Sequence, residues 1–353
     1  MPGPGEPLIA AYEGLVCDLD GVVYRGPDAL PYAVSALRGA AACVPVCFAT
    51  NNASRSPAEV AAQLRQLGLM VADADVVTSA QAGARLLAAE LPPGSAVLAV
   101  GGDGVWEALA AAGLGPTREG VPVRAVLQGW GSEVRVADLA NASIAIAGGA
   151  RWIATNTDRT LPTSLGEIPG NGTLVAAVVE ATGRTPEVVG KPFPPLYHSA
   201  AERLGTSSER CLMIGDRLDT DIVGASAVGA DALWVFTGVD RFTHLARSAA
   251  TPRYAAPDLR ALGTPAVQVC RHDEHSWTCD GAGLALGKHG LVGSMNGHGC
   301  DLRQIPPSLL AMLGLGVVLH LRDERFPVET ELASVAAELD WALDHCVEPP
   351  VRQ

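Results

Sequence analysis

Residues 15–24 read Leu15-Val16-Cys17-Asp18-Leu19-Asp20-Gly21-Val22-Val23-Tyr24. An apolar run delivers two aspartates, two positions apart, and a glycine follows at once. In an open parallel sheet, ligands gather at the C-terminal ends of buried strands, so the pattern points to an active site. Gly21 lets the chain turn sharply beside the pair. The same residues also suit a strand ending in an ordinary polar turn, because Asp and Gly are frequent there. By itself the stretch leaves both readings open.

Three later stretches shift the balance. Val44 to Ala49 reads as a second strand and ends in Thr50-Asn51-Asn52-Ala53-Ser54-Arg55, just ahead of a helix predicted from Pro57 to Leu67. Hydroxyl and amide groups before a helix N-terminus suit a phosphate. Ser54 or Ser56 would equally serve as an ordinary helix cap. Val188-Val189-Gly190-Lys191-Pro192 is another short apolar run, with a lysine at its end. Of the 25 basic residues, only Lys191 and Lys288 are lysine. An ammonium is a compact point charge and a guanidinium a wide fork, which suggests a need for the ammonium where it is kept. Cys211-Leu212-Met213-Ile214 then reads as a buried strand. It ends in Gly215-Asp216-Arg217-Leu218-Asp219-Thr220-Asp221, which opens a helix predicted to Val228.

Four strand ends thus carry Asp18/Asp20, Thr50/Asn51, Lys191 and Asp216/Asp221, and a doubly wound sheet turns all four toward one edge. Phosphoryl transfer suits them. Crowded carboxylates repel unless a divalent cation offsets them, and hard oxygen ligands beside a phosphate favour Mg²⁺. A carboxylate can attack phosphorus, and a second one can protonate the leaving alkoxide and then activate water. Thr50 and Lys191 would hold charge developing on the equatorial oxygens.

Composition sets the outer bounds. The chain has 353 residues, 48% of them hydrophobic, enough for two or three domains with sizeable cores. A net charge of −13 argues against a nucleic-acid or anionic-membrane partner, since both need a basic face. Met1 to Pro7 is a Pro/Gly-rich leader without the basic-then-apolar order of a signal peptide. No apolar stretch is long enough to span a bilayer, so the expected location is the cytoplasm. The eight cysteines are scattered, several within apolar runs, and read as reduced thiols.

Pro92-Pro93-Gly94 marks a boundary, after which a new α/β series begins. Its predicted strands are Ala96–Val100, Arg124–Gln128 and Trp152–Thr155. Its predicted helices are Gly104–Ala112, Val134–Ala147 and Leu174–Ala181. A strand over Ala232–Phe236 and a helix over Asp258–Leu262 close the main body. From residue 264 onward Gly and His are frequent and the strands look short. A final amphipathic helix is predicted over Val328–His345, with Leu332, Val335, Ala336, Leu339 and Leu343 on one face. Cys270, His272, His275 and Cys279 fall within ten residues, a set that zinc could use, although the spacing fits a hairpin with buried cysteines as well.

DLDGVVY, TNNASR, GKP and GDRLDTD, in this order, resemble the four motifs of the haloacid dehalogenase (HAD) superfamily, and more narrowly its NagD-like, p-nitrophenyl phosphatase group. The resemblance covers roughly residues 8–262. It implies a doubly wound, parallel, Rossmann-like α/β core over 1–92 and 186–263. An inserted α/β cap would occupy 93–185, and 264–353 would form a small C-terminal α/β domain, acetyltransferase-like or for docking. It implies Asp18 as nucleophile and Mg²⁺ ligand, with Mn²⁺ or Co²⁺ able to substitute. Asp20 would be the general acid/base, with its carbonyl on the metal. Asp216 and Asp221 would serve the metal, and Thr50, Asn51, Asn52 and Lys191 the phosphate. The implied substrate is a small phosphate ester. The whole-chain layout, with a tail appended to the NagD-like part, resembles bacterial glycerol-3-phosphate phosphatases, which ranks glycerol 3-phosphate ahead of pyridoxal phosphate, phosphoglycolate and nucleotides. A phosphosugar mutase or a non-catalytic scaffold ranks lower, because the insertion point argues against the first and no motif carboxylate is missing for the second. Candidate cap contacts are Asn156, Asp158, Arg159 and the Leu161–Ile168 loop. A homodimer through the cap or the C-terminal domain is left open.

Overall fold

The computed structural model describes residues 5–119, 122–163, 166–288, 290–323 and 329–346. The start of the Pro/Gly leader, the tip of the 161–168 segment and the predicted helix start at Val328 lie outside the described residues. The chain divides into two compact units, residues 1–45 with 209–353, and residues 46–208.

In the first unit, four parallel strands run side by side in the order Tyr254–Ala256, Asp231–Val235, Cys211–Gly215, Gly14–Cys17. Leu15 pairs with Leu212 and Ile214 with Leu233. The apolar runs that predicted two of these strands are buried throughout, as a parallel sheet covered on both faces requires. Trp234, Phe236 and Phe242 pack beside the sheet, the first and last edge to face at 5.6 Å. Asp258–Leu262 forms only a short 3₁₀ turn, Leu259–Gly263, not the predicted helix. Five residues give too few backbone hydrogen bonds to sustain α-helix without strong packing.

The C-terminal part of this unit segregates its strands and helices. Five short strands, Cys270–Arg271, Ser276–Cys279, Ala282–Gly287, Gly290–Met295 and His298–Cys300, form an antiparallel meander. Two of its turns are the two-residue pairs Asp280-Gly281 and Asn296-Gly297, all at positive φ, whose backbone twist matches that of paired strands. Helix Pro307–Asp323 packs on the meander and on strand Tyr254–Ala256. It buries ten residues distributed around its circumference, the pattern of a helix covered on most sides. Helix Glu329–Asp344 carries the predicted amphipathic face, with Val335, Ala336 and Leu339 buried.

In the second unit, Val46–Thr50 and Val76–Thr78 pair in parallel. Ser56 caps helix Pro57–Gln66 in a reciprocal box with Glu59. Between Thr78 and helix Pro194–Leu204 the chain builds a separate parallel sheet, ordered Glu187–Val188, Arg151–Ala154, Ala125–Gln128, Ala96–Val100, Gly115–Thr117. Its core joins Leu98, Val100, Val126, Trp152 and Ala154 to Ala142 and Ile146 of helix Val136–Ala147, and to Val175 and Val178 of helix Asn171–Thr182. The segment expected as a loop at 161–168 is mostly an antiparallel hairpin, Thr160–Thr163 with Gly166–Pro169.

Candidate functional site

The first unit gathers three of the predicted carboxylates. Asp18 follows strand Gly14–Cys17, Asp216 follows strand Cys211–Gly215, and Asp221 lies one turn further on. One carboxylate oxygen from each lies within 4.8 Å of the others. Asp216 and Asp221 are buried, at 1% and 4% exposure. Parallel pairing of the two strands forces this proximity, because it brings their C-terminal ends level. The predicted helix after Gly215 begins as a π-helical turn, Leu218–Ile222, and continues as Val223–Ala227. Asp20 stands outside the trio. Its side chain is exposed and its backbone bridges to Tyr24.

The surroundings make room for Asp216 and orient it. Gly21, at φ +83°, would place any Cβ 2.6 Å from Asp216 Oδ2. Gly238 leaves no space for a Cβ at all beside the same carboxylate. Val239 N donates to Asp216 Oδ2 at 3.0 Å, and the Trp234 indole donates to the Asp216 carbonyl at 3.1 Å. Leu218 N donates to Asp240 Oδ2 at 2.6 Å. Three close carboxylates in a buried setting cost free energy unless a cation compensates them, and all the donors are hard oxygens. The set fits a small divalent ion.

The second unit holds the amide, hydroxyl and ammonium groups. Thr50 is buried, and its Oγ1 accepts from Asn52 N at 3.1 Å. Asn52 Oδ1 accepts from Ser54 N and Ser54 Oγ. The Asn51 amide meets the main chain of Lys191 twice: its Oδ1 accepts from Lys191 N at 2.7 Å and its Nδ2 donates to Lys191 O at 3.1 Å. Lys191 is buried at 5% exposure, and its Nζ donates to the Ala49 carbonyl at 3.2 Å. Lys288, the other lysine, is exposed.

Asn156 and Asp158 brace this arrangement. Asn156 Nδ2 donates to Asn51 O at 2.8 Å, and Asn51 Nδ2 lies 3.4 Å from Asp158 Oδ2. Arg159 is exposed, and its carbonyl accepts from Gly170 N.

Sequence reasoning missed Gly238, Val239, Asp240 and Trp234. A glycine and an acid following an apolar strand, as in Thr237-Gly238-Val239-Asp240, were the available signal. Zinc finds no site at 270–279. Among the described residues, Asp18, Asp216 and Asp221 are the only three such side chains close enough to share an ion. Cys270 lies exposed on one strand, Cys279 is buried on the next, and His272 Nε2 engages Thr278 Oγ1. A cavity of about 540 Å³, lined by Tyr254, Pro257, Leu309 and Met312, includes none of the predicted site residues.

Residues 15–115 match the family model described as haloacid dehalogenase-like hydrolase, and residues 188–262 a second one, described as HAD-hydrolase-like. A D-glycerol 3-phosphate phosphatase from Mycobacterium tuberculosis is 43% identical over 351 residues, covering 95% of this chain and 96% of that protein. The chain belongs to the haloacid dehalogenase-like hydrolases. Another relative of this hydrolase, an acid sugar phosphatase from Staphylococcus saprophyticus, is 34% identical and covers 71% of the chain and 96% of its own length. Among solved structures, glycerol phosphate phosphatase from M. tuberculosis in complex with magnesium matches with a TM-score of 0.76 and 37% identity, over 91% of this chain and 93% of that one. The p-nitrophenyl phosphatase from Archaeoglobus fulgidus gives 0.67 and 30%, over 71% of this chain and 97% of that one. No helix among the described residues is long and apolar enough to cross a membrane.

Proposed function

We propose that this hydrolase is a Mg²⁺-dependent phosphoric monoester hydrolase whose substrate is glycerol 3-phosphate, released as glycerol and phosphate. The trio of Asp18, Asp216 and Asp221 carries the chemistry. The substrate rests on likeness to the mycobacterial phosphatase, which extends over 95% of the chain and so takes in most of the C-terminal region. The acid sugar phosphatase covers only 71%.

Asp18 attacks phosphorus and becomes an aspartyl-phosphate. Asp20 gives a proton to the leaving alkoxide and then takes one from the water that hydrolyses the acyl phosphate. Its exposed side chain suits that exchange. Asp18, Asp216, Asp221 and the Asp20 carbonyl would hold Mg²⁺, which offsets the carboxylate charge and that of the phosphoryl group. Thr50, Asn52 and Lys191 grip the phosphate, with Asn51 fixing the Lys191 main chain.

The working division is a catalytic core over 1–92 and 186–263, a cap over 93–185 that selects the leaving group, and a C-terminal domain over 264–353. The enzyme acts in the cytoplasm. It pairs through the cap, where Val136 and Ile144 lie 83% and 72% exposed on one helix. Sedimentation of wild type beside Ile144→Asp tests this: a dimer converted to monomer supports it, and a monomeric wild type refutes it.

The deciding experiment is phosphate release from glycerol 3-phosphate, pyridoxal phosphate and p-nitrophenyl phosphate, with Mg²⁺ and with EDTA. Mg²⁺-dependent release favouring glycerol 3-phosphate is expected. Preference for another ester would refute the substrate, and release unaffected by EDTA would refute the metal.

A further inference from the structure

The C-terminal helix reaches toward the acidic cluster through a chain of contacts. Asp340, on helix Glu329–Asp344, accepts from Phe242 N at 2.7 Å and from Thr243 N at 3.0 Å, one through each carboxylate oxygen. These N–H groups open the short helix Phe242–Leu245, which immediately follows the segment over Asp216. Within that segment, Val239 N donates to Asp216 Oδ2 and Asp240 accepts from Leu218 N. Its other end is also tied down: Thr237 Oγ1 donates to Gly21 O at 2.7 Å, and Arg25 donates to Thr237 O at 2.8 Å. A second route runs through packing. Phe242 is fully buried, meets Trp234 edge to face, and the Trp234 indole donates to the Asp216 carbonyl.

We propose that Asp340 is a positioning residue for the acidic cluster: it clamps the start of Phe242–Leu245 and, through Val239, fixes the Asp216 carboxylate in the orientation that receives the cation. The inference rests on the metal assignment above. It gives the C-terminal domain a part in the reaction without a second active site. Asp340 touches neither substrate nor metal. Its loss changes the geometry of a ligand and leaves the ligand set intact.

The test uses the full chain. Mn²⁺ binding, followed by electron paramagnetic resonance of the unbound ion, is measured for wild type, Asp340→Ala, Asp340→Asn and Val335→Ala. Val335 is buried on the same helix and contacts none of the segment residues by hydrogen bond, so its truncation controls for loss of packing. Partners that orient metal ligands directly are commonly worth 10–100-fold in metal affinity, and Asp340 acts one contact further out. Asp340→Ala should weaken Mn²⁺ roughly threefold to tenfold, by the same reasoning, and raise the Mg²⁺ concentration for half-maximal phosphate release in parallel. Asp340→Asn keeps one acceptor oxygen and should lose about threefold. Val335→Ala should lower the melting temperature and leave Mn²⁺ affinity at the wild-type value. Wild-type Mn²⁺ affinity in either Asp340 variant overturns the proposal, as does equal weakening in Val335→Ala. If Asp340→Ala does not fold, Asp340→Asn decides alone. An Asp216→Ala enzyme that binds Mn²⁺ as well as wild type would instead overturn the metal assignment.

Discussion

Gly21→Ala separates two costs that usually arrive together. At φ +83° the new side chain meets the left-handed penalty of about 1–2 kcal/mol. Its Cβ would also stand 2.6 Å from Asp216 Oδ2, where ordinary contact begins near 3.4 Å, so the carboxylate must give way by about 0.8 Å. Overpacking of that kind costs about 1–3 kcal/mol. The sum stays within an ordinary stability of about 5–15 kcal/mol, so the variant folds. The displaced group is a proposed metal ligand, and a misplacement near 1 Å costs on the order of 100-fold in rate. The expected loss in kcat/KM is therefore about 30–100-fold. Gly26 supplies the control, since it sits at φ +61° with nothing within 4 Å of a built Cβ. Gly26→Ala carries the backbone penalty without the collision and should keep its activity. Phosphate release and thermal melts on both variants decide the matter. Gly21→Ala within threefold of wild type, or Gly26→Ala equally impaired, would refute the reasoning.

Other outcomes follow from the same structure. Asp18→Asn should abolish phosphate release with an unchanged circular dichroism spectrum; residual turnover above about 1% would remove Asp18 as nucleophile. Lys191→Arg should cost at least about 100-fold, because a planar guanidinium does not fit the buried place where Nζ meets the Ala49 carbonyl; steady-state kinetics report it. Burial pushes the Cys211 and Cys279 thiols up to about 11, from 9.0. The unfolded chain loses these protons first, so the stability they contribute is complete below pH 9 and declines as pH rises toward 11. Melting temperatures across that window should fall, and less steeply in Cys279→Ala. Exposed Cys43 and Cys270 should react with a thiol reagent in the native state, while buried Cys17, Cys47, Cys211 and Cys279 wait for unfolding.

Much of the site was legible because side chains carried it. Asp18, Asp216 and Asp221 stand at or just beyond the ends of apolar runs, and parallel pairing of those runs does the rest. Lys191 was marked by the rarity of lysine. What stayed hidden works through backbone: Val239 contributes an N–H, which any residue but proline possesses. Asn51 was placed on the phosphate by its type, but its amide pairs with the Lys191 main chain, a contact 140 positions distant. In the C-terminal domain, Asp280-Gly281 and Asn296-Gly297 were hairpin signals in plain view. They went unused because the glycine-rich strands beside them show little alternation. Helix Pro307–Asp323 escaped because an element covered on most sides has no polar stripe to set its period.

The strand Gly14–Cys17 pairs with Cys211–Gly215, and helix Phe242–Leu245 is capped by Asp340. During synthesis the first strand leaves the ribosome roughly 200 residues ahead of that partner, a wait of about 10–40 s at ordinary elongation rates. Asp340, 98 positions beyond Phe242, arrives later still. The 46–208 unit is contiguous in the chain, so its fold can be complete while the acid trio remains unassembled. A nascent chain stalled before Asp340 therefore has the Asp18, Asp216 and Asp221 trio complete and the start of Phe242–Leu245 uncapped. On the role proposed for Asp340, quality control acting on helix Glu329–Asp344 acts, in effect, on the acid trio.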